Sequence, residues 1–432
     1  MSSGLVAGVD SSTQSCKVLI LNKETGEVAR EGRASHPTGT EVDPNLWWEA
    51  LLQAIERAGG LADVSAISIA GQQHGMVLLD EKGQVVRPAL LWNDTRSALE
   101  AEQLVEHFGA SWLAQNTGSV PLASFTSTKL LWVKNHEPEL VDRIAAVCLP
   151  HDYLSWRLSS DYGDISKLFT DRSDASGTGY FNPSTNGYVQ EILDYCLGKD
   201  LVLPTIKMHD EIAATVGANY SKNNVPIGAG MGDNASAAMG LDLTPGRFAV
   251  SIGTSGTIFG SLSKPVSDAD GTISGFADAT GNYLPLVCTI NAARVIEWGA
   301  SLLGVGLDEF GDLALAADPG AGGIKVVPYL EGERTPNLPD ATATVSGISL
   351  ANGSRENFAR ACIEGMLLGL VHGSKVIASH GQEITSISLI GGGAANKAVQ
   401  KIAKELFDVE VLVPDAAEYV ALGAAKQAAG LI

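Results

Sequence analysis

The feature that most constrains this fold is a strand–turn–strand pattern that occurs near the start of the chain and again in its second half. In the first copy, an apolar strand over residues 5–10 is followed by a polar turn over 11–14 and a second strand over 16–21. In the second copy, a strand over 248–252 enters a glycine-rich turn over 253–256 and a short return strand. Apolar runs bounded by Gly, Ser and Thr are typical of strands joined by tight hairpins. The repeat therefore predicts two related domains.

The chain of 432 residues is also long enough for two domains of ordinary size. We place the N-terminal domain at 1–223 and the C-terminal domain at 224–432, joined near Asn223 and Asn224, with a cleft between them. Beyond the second hairpin, apolar periodicity predicts alternating helices, over 291–304, 356–379, 396–407 and 418–429, and strands, over 325–328, 387–390 and 410–413. This alternation indicates an α/β fold in which helices cover sheets.

The composition argues against several classes of protein. The 29 Lys and Arg residues against 49 Asp and Glu residues give a formal charge of −20, which would repel nucleic acid and anionic membranes. No apolar run reaches the roughly 18 residues of a transmembrane helix, and the N-terminal sequence lacks a secretory signal. Five scattered cysteines without a Cys-x-x-Cys pair favour a reducing compartment. We therefore expect a cytoplasmic protein without nucleic-acid or membrane partners.

Three turns that follow strands carry residues suited to a nucleoside triphosphate. In the first turn, Asp10 precedes two serines and Thr13. A carboxylate beside hydroxyl and backbone N–H groups can hold a hydrated Mg²⁺ close to phosphates. An ordinary Asx or Ser turn on a protein surface has the same local sequence, so this alternative stays open.

The other two turns are rich in glycine. Backbone without a Cβ can approach an anion or a nucleoside closely. The second turn consists of Gly253, Thr254, Ser255 and Gly256. The third joins a strand to a helix and runs through Gly391, Gly392, Gly393, Ala394, Ala395 and Asn396. It lacks the Gly-x-Gly-x-x-Gly spacing of a dinucleotide fold, and plain glycine-rich turns are the alternative for both segments.

Asp233 is the most informative single residue. It follows the apolar, glycine-rich strand over 226–232 and precedes Asn234 and a helix of small residues. A carboxylate at the end of a buried strand can accept a proton from a substrate hydroxyl, and phosphoryl transfer needs little more than such a base, a metal and positioning. Asp is also a preferred helix N-cap, so the local sequence leaves both roles open.

Polar groups that could bind a sugar occur at two places. Gln73 and His74 lie between two glycines after a strand, and their amide and imidazole groups match the donors and acceptors of a polyhydroxyl ligand. Trp92 begins a segment that ends at Arg96 and offers an aromatic face for the C–H side of a sugar. The alternatives are a buried structural histidine at His74 and a simple Asp–Arg pair in the second segment.

Together these segments resemble the FGGY family of carbohydrate kinases over nearly the whole chain and in the same order. One longer pattern spans 124–136 and reads Ser-x-Thr-x-x-Lys-Leu-x-Trp-Val-x-Asn-His. Another runs from Gly347 to Glu364. Similarity to the kinases of D-xylulose, rather than to glycerol kinases, lies in four segments, 70–75, 91–96, 232–234 and 329–336.

The resemblance implies an α/β fold of two RNase H-like (actin-type ATPase) domains flanking a central cleft, and ATP-dependent phosphorylation of a ketose. It implies that Asp233 is the catalytic base and that Asp10 holds Mg²⁺ through water. The residues implied to bind the sugar are Gln73, His74, Trp92, Asp233 and Asn234. Those implied to bind ATP are Thr13, Gly253, Thr254, Ser255, Gly256, Gly391, Gly392, Gly393 and Asn396. The implied partners are a small sugar and ATP, with a homodimer left open.

Three alternatives stay beside this hypothesis. The nearest is a kinase of the same fold that acts on ribulose, gluconate or glycerol. Many bacterial members carry Met at the position of Gln73, so this wall of the pocket is more polar here. The second alternative is an actin-like assembly ATPase without a small substrate, and the third is a sugar-binding regulator without turnover. The sequence assigns no role to Lys17 or Arg334.

Overall fold

The computed structural model describes residues 4–381 and 383–432. Strands in the first half of the chain are β1 (Leu5–Ser11), β2 (Ser15–Asn22), β3 (Val28–Ser35), β4 (Glu41–Val42), β5 (Val64–Gly71), β6 (Val77–Leu79), β7 (Ala89–Leu90), β8 (Ala146–Cys148), β9 (Phe169–Asp171), β10 (Phe181–Asn182), β11 (Gly187–Tyr188), β12 (Thr205–Lys207), β13 (Ile212–Thr215), β14 (Pro226–Gly228) and β15 (Met231–Gly232). The helices there are α1 (Pro44–Arg57), α2 (Ala98–Phe108), α3 (Ala110–Thr117), α4 (Thr126–His136), α5 (Pro138–Val141), α6 (Pro150–Leu158), α7 (Arg172–Ala175) and α8 (Gln190–Cys196).

The second half alternates strands and helices, as the sequence predicts. Its strands are β16 (Arg247–Ile252), β17 (Gly256–Gly260), β18 (Ser274–Ala277), β19 (Tyr283–Thr289), β20 (Lys325–Val327), β21 (Thr344–Ser346), β22 (Ser386–Ile390) and β23 (Glu410–Leu412). Its helices are α9 (Asp233–Gly240), α10 (Ala293–Leu303), α11 (Leu307–Ala316), α12 (Arg355–Ser379), α13 (Lys397–Leu406) and α14 (Tyr419–Ala429). The seven elements predicted after the second hairpin are all present, with ends within two residues of the predicted ones.

The first sheet brings three chain segments to one edge. Its strand order is β13-β14-β5-β1-β2-β3, with β15 also paired to β5. β1 and β15 both run parallel to β5, so Ser11 and Gly232 each pair with Gly71. Because parallel strands end at the same edge of a sheet, Asp10, the turn after β5 and Asp233 lie next to one another.

The second sheet repeats this arrangement. Its order is β18-β19-β17-β16-β22-β23, with β16 parallel to β22 and Ser251 paired with Ile390. The hairpin between β16 and β17 and the glycine-rich segment after β22 therefore leave the sheet at the same edge. Both sheets thus present their hairpin turns and strand ends as loops available for ligands.

The point at which the chain leaves the first sheet differs from the predicted junction. β14 and β15 pair with β5 in the first sheet, so residues after Asn224 still belong to that layer. The chain crosses over only after Gly232, through α9. The sequence did not reveal this because a buried apolar strand has the same pattern in either sheet. The division at 223 and 224 remains a prediction for independently folding units.

The crossover is held by close packing of small residues. α14 packs against both α9 and β1, so the last helix returns to the first sheet. A Cβ on Gly8 of β1 would lie 2.1 Å from the carbonyl oxygen of Ala421. One on Gly423 would lie 1.8 Å from the carbonyl oxygen of Ser236. These glycines let α14 approach β1 and α9 at a distance that any side chain would prevent.

α12 is long and apolar enough, by composition alone, to cross a membrane. It is instead packed as the central helix of the second domain, with Ala361, Ile363 and Leu367 buried in the core. The buried Arg360 guanidinium donates to Glu364 at 2.6 Å and also pairs with Glu405. A charged pair inside a protein core needs such partners, and the helix is therefore a core element.

We predict that Gly8→Ala destabilises the fold, because the new methyl group would overlap the backbone of α14. The expected cost is about 1–3 kcal/mol, read as a lower midpoint in thermal or urea unfolding. Gly369→Ala in α12 is the matched control. The atom nearest to the new Cβ would be 3.5 Å away. The change from Gly to Ala inside a helix should therefore stabilise the fold by about 0.5–1 kcal/mol. Equal unfolding midpoints for the two variants would contradict the close packing of α14 against β1 at Gly8.

Candidate active site

Two cavities lie side by side between the sheets. The smaller has a volume of about 230 Å³ and the larger about 830 Å³. Asp233, Asn234 and Ser251 line both of them. A cavity of the larger volume falls in the usual range for cofactor-sized ligands, whereas the smaller one suits a much smaller molecule. The shared wall places a carboxylate where two ligands would meet.

The predicted sugar-binding residues are brought together around the smaller cavity. Gln73, His74 and Trp92 line it from the first domain. From the second hairpin, Gly253 and Ser255 also line it. Residues separated by some 180 positions in the sequence thus form one wall, which is the arrangement that the sequence predicts for a cleft between domains.

His74 is held as a neutral imidazole. Its backbone φ is +68°, an unusual conformation for a residue other than glycine. Its Nδ1 lies 2.5 Å from the carbonyl oxygen of Gly177, which can only accept, so Nδ1 carries the proton. Burial lowers the pKa of His74 to about 3, and the ring packs against Phe125. The unprotonated Nε2 is therefore free to accept a hydrogen bond from a ligand hydroxyl.

Gln73 is positioned by the same short segment of chain. Its Nε2 donates to the carbonyl oxygen of Ser173 at 3.3 Å. The hydroxyl oxygen of Ser173 in turn accepts from the backbone N–H of Gly232 at 3.2 Å, one residue before Asp233. Residues 173–177 therefore link the side chains of Gln73 and His74 to the start of α9.

Asp233 is the first residue of α9 and Gly232 is the N-cap, so Asp233 is not the N-cap that the local sequence allowed, and its role as a base remains a prediction. Its Oδ1 accepts from the backbone N–H of Asn234 at 2.8 Å and from the Asn234 amide at 2.9 Å. The backbone N–H of Asp233 itself also bonds to the carboxylate, and among the described residues no side chain donates to its Oδ2. Burial, together with the nearby charge of Asp10, raises the pKa of Asp233 to about 7. One oxygen thus contacts the helix start, and the other is available as a base.

The first hairpin lies beside this wall. Asp10 is buried, its Oδ1 accepts from the Ser12 hydroxyl at 2.8 Å, and burial raises its pKa to about 6. Thr13 accepts from the Trp92 indole N–H at 2.9 Å and donates to Gln72 at 3.3 Å. Neither Asp10 nor Thr13 is among the described residues that line the two cavities. The Thr13 hydroxyl holds Trp92 in place, and its predicted contact with phosphate remains a prediction.

In the second hairpin, Gly253 and Ser255 reach the cavity but Thr254 is exposed at the tip, and Gly256 is buried at the start of β17. The carbonyl groups of Gly253 and Thr254 accept from the first backbone N–H groups near α10, at 2.9 and 3.2 Å. The hairpin is thereby fixed against the second domain. Its roles toward ATP remain predictions.

In the third segment, residues 391–396, some residues line a cavity and others do not. Gly391 and Gly392 line the larger cavity, whereas Gly393 and Asn396 are not among the described residues that line it. A Cβ on Gly393 would meet Ile252 at 2.3 Å. The Asn396 side chain accepts from the backbone N–H of Ala398 at 2.9 Å and so caps α13. Asn396 therefore has a structural role, and its predicted contact with ATP remains a prediction.

Other predicted groups have structural partners. Arg96 pairs with Asp94 at 2.8 Å, which is the Asp–Arg alternative considered for this segment. Lys17 forms an ion pair with Glu418, which lines the larger cavity. Arg334, to which the sequence gave no role, lines the smaller cavity.

Sequence reasoning missed a buried network behind the sugar-binding residues. His151 in α6 contacts Asp174 at 2.6 Å and Asp152 at 3.3 Å, and none of the three is exposed by more than 1%. The two carboxylates raise the pKa of His151 to about 10, against the opposing effect of burial. The network fixes α7, which begins the segment that carries Ser173 and Gly177. The contact spans 23 residues of sequence, so no local signal could have revealed it.

The residues around the larger cavity fit magnesium-bound ATP. No Lys or Arg is among the described residues that line this cavity, and it contains Asp233, Asp415 and Glu418. A triphosphate bound here therefore needs a cation to offset repulsion. Asp10, a buried carboxylate with a raised pKa, would be stabilised by a hydrated divalent ion. Gly392, where a Cβ would meet nothing within 4 Å, leaves open space for a nucleoside.

The fold and the paired cavities define a two-domain α/β phosphotransferase with a small polar site beside a nucleotide-sized one. The family model of the FGGY carbohydrate kinase N-terminal domain matches residues 5–240, and that of the C-terminal domain matches 248–431. The chain belongs to the FGGY family of carbohydrate kinases. The predicted family is therefore confirmed.

Similar proteins agree with this assignment. The chain is 42% identical to a xylulose kinase from Streptomyces rubiginosus, with 99% of the chain and 88% of the relative covered. It is 36% identical to a xylulose kinase from Escherichia coli, over 90% and 82%. A crystal structure of xylulose kinase from Bifidobacterium adolescentis is 46% identical, with a TM-score of 0.94 and coverage of 99% and 92%. The predicted two-domain actin-type fold is confirmed by this likeness.

We predict that His151→Gln destabilises the protein by about 3–5 kcal/mol, because it leaves two buried carboxylates without their cation. His209→Gln is the matched control, since this histidine lies 4.0 Å from Asp210 in a pair whose side chains are 35% and 70% exposed. An exposed pair contributes about 0–1 kcal/mol. Urea unfolding at neutral pH measures both variants. Similar losses of stability in the two variants would show that the buried network contributes no more to stability than an exposed ion pair does.

Proposed function

We propose that this protein is an ATP-dependent ketose kinase that converts D-xylulose to D-xylulose 5-phosphate, with Asp233 as the general base. The observation that carries the proposal is the position of Asp233 on the wall shared by the small and the large cavity. A base at this position can reach a sugar hydroxyl on one side and lie close to the terminal phosphate on the other. In-line transfer between two bound substrates requires this arrangement.

The choice of sugar rests on the relatives and on the smaller cavity. The curated relatives named above are xylulose kinases, and the chain covers most of their length. Gln73, His74 and Asn234 offer donors and acceptors for several hydroxyl groups. Kinases of ribulose, gluconate or glycerol with the same fold remain the alternative. A coupled assay of ADP release with each of these sugars and polyols separates the candidates.

The chain's own residues carry out three tasks in this reaction. The neutral His74 and the amide of Gln73 orient the sugar by hydrogen bonds. Oδ2 of Asp233 accepts the proton of the terminal hydroxyl as the oxygen of that hydroxyl becomes a nucleophile. A carboxylate with a pKa near 7 is a stronger proton acceptor than an exposed one and is still ionised in a large fraction of molecules at neutral pH.

Residues of the second domain and of the first hairpin would hold the nucleotide. We propose that Gly391 and Gly392 lie against the adenosine, that the hairpin containing Gly253 and Ser255 lies near the phosphates, and that Asp10 contacts Mg²⁺ through water. When bound, Mg·ATP supplies the transferable phosphoryl group and a cation that offsets its charge. Closing of the cleft would exclude water, which otherwise competes with the sugar hydroxyl.

An actin-like assembly ATPase and a regulator without turnover are less well supported. Neither requires a carboxylate on the wall between a nucleotide-sized cavity and a small polar one. We also propose that the protein works in the cytoplasm, since its five cysteines are all free thiols in the structure. The homodimer remains a prediction, and light scattering with an inline mass measurement tests it.

We predict that Asp233→Asn lowers kcat for sugar phosphorylation by about 10²–10⁴-fold, because the amide cannot accept the proton. Far-UV circular dichroism and thermal unfolding check that the variant stays folded. Asp242→Asn is the matched control, since this carboxylate is 78% exposed and pairs with Lys426 outside the cleft. A turnover for Asp233→Asn within threefold of the control would reduce Asp233 to a structural residue of α9.

The pH dependence follows from the same carboxylate. A general base must be ionised, and the pKa of Asp233 is raised to about 7, so kcat/KM for the sugar should fall about tenfold per pH unit below 7. The pKa of His74, about 3, keeps that residue neutral throughout this range. Steady-state rates between pH 5.5 and 9 measure the profile, with enzyme stability checked at each pH. A rate that is constant from pH 5.5 to 8 is incompatible with this assignment.

A further inference from the structure

Arg334 occupies a position in the site that the proposed function does not yet use. It lies in the loop between β20 and β21 and lines the smaller cavity from the second domain. Among the described residues that line the two cavities, it is the only Lys or Arg. A permanent cation therefore faces a small polar cavity that Gln73 and His74 also line.

The guanidinium of Arg334 has few partners within the protein. Its side chain is half-buried and hydrogen bonds to the Cys288 thiol, a weak acceptor. In the described part of the chain, no carboxylate pairs with it. By contrast, the guanidinium groups of Arg172 and Arg360 each have a carboxylate partner. Most of the five donors of Arg334 are therefore left for a ligand.

The backbone beneath Arg334 is rigidly held. Its N–H donates to the Glu333 carboxylate at 2.8 Å. Glu333 is buried and also accepts from the backbone N–H of Ile290 at 2.6 Å and from the Asn291 amide at 3.0 Å. These bonds attach the loop to the end of β19, so the position of Arg334 is fixed before any ligand binds.

Arg334, His74 and Asp233 all line the smaller cavity. The positive charge of Arg334 contributes to the lowered pKa of His74. The charge that contributes to the raised pKa of Asp233 is instead that of Asp10. The charge of Arg334 therefore acts on His74, one of the residues proposed to orient the sugar.

We propose that Arg334 binds the non-reacting end of the ketose, donating hydrogen bonds to its carbonyl oxygen and to a neighbouring hydroxyl oxygen. This inference rests on the proposed function and names the group that would select a ketose. A guanidinium gains most from a strong, unhindered acceptor, and in an open-chain ketose the carbonyl oxygen is such an acceptor. Because Arg334 comes from the second domain, a sugar bound to Gln73 and His74 would also connect the two walls of the cleft.

The test is a comparison of Michaelis constants for Arg334→Gln with those of the wild type. We expect KM for D-xylulose to rise about 10- to 100-fold, since a hydrogen bond from a charged donor is lost, while KM for ATP stays within twofold. Glu331→Gln is the matched control. It lies in the same loop, its carboxylate is 75% exposed, and it lines neither cavity. This variant should keep both constants.

A second substrate tests the carbonyl contact. Xylitol has a hydroxyl in place of the ketone, so the wild type should bind it more weakly than D-xylulose, and Arg334→Gln should reduce that difference. Arg334→Lys keeps the charge but not the fork of donors, and it should give an intermediate KM. It also serves as the second variant if Arg334→Gln fails to fold.

Three outcomes overturn the inference. They are an unchanged KM for D-xylulose in Arg334→Gln, a rise in the KM for ATP alone, and the same change in Glu331→Gln. Each of them leaves the proposed function intact, provided that the wild type phosphorylates D-xylulose. A wild type that phosphorylates another sugar instead contradicts the proposed function, and the Arg334 variants are then measured with that sugar.

Discussion

The site depends on a carboxylate held at the end of a buried strand where two cavities meet. Asp233 has this position because β15 pairs with β5 in the first sheet and the chain then turns at once into α9. α9 is fixed by α14, whose Gly423 lies against the backbone of Ser236. Burial of the carboxylate raises its pKa and so makes it a stronger base. The packing of α14 against α9 therefore helps to determine where the carboxylate of Asp233 lies.

Each domain supplies half of the surroundings of this carboxylate. The first domain contributes Gln73 and His74, which are held by carbonyl groups of a segment that the buried His151 network fixes in place. The second domain contributes the hairpin around Gly253 and the cation of Arg334. A polar site of this kind is costly to leave unsatisfied, and a small polyhydroxyl ligand would satisfy it. Specificity and domain closure would then depend on the same contacts.

The sequence predicted what local patterns determine. The seven helices and strands predicted after the second hairpin, the two hairpins and the position of Asp233 at a strand end follow from periodicity and from glycine, serine and aspartate at turns. The elements β18, β19, α11 and β21 were not predicted. The sequence did not reveal that β14 and β15 belong to the first sheet, because an apolar strand does not show which sheet it joins. His151 and Arg334 were missed for a related reason, since their partners lie far along the chain. Asn396 caps α13, and its predicted contact with ATP remains a prediction.

The most direct measurement of the central claim is a crystal structure with D-xylulose and a non-hydrolysable ATP analogue bound together. The account predicts that the sugar's terminal hydroxyl lies within hydrogen-bond distance of Oδ2 of Asp233, with the terminal phosphate of the analogue on the other side of that hydroxyl. A sugar whose hydroxyls all lie beyond hydrogen-bond reach of Asp233, or one bound outside the smaller cavity, would contradict it.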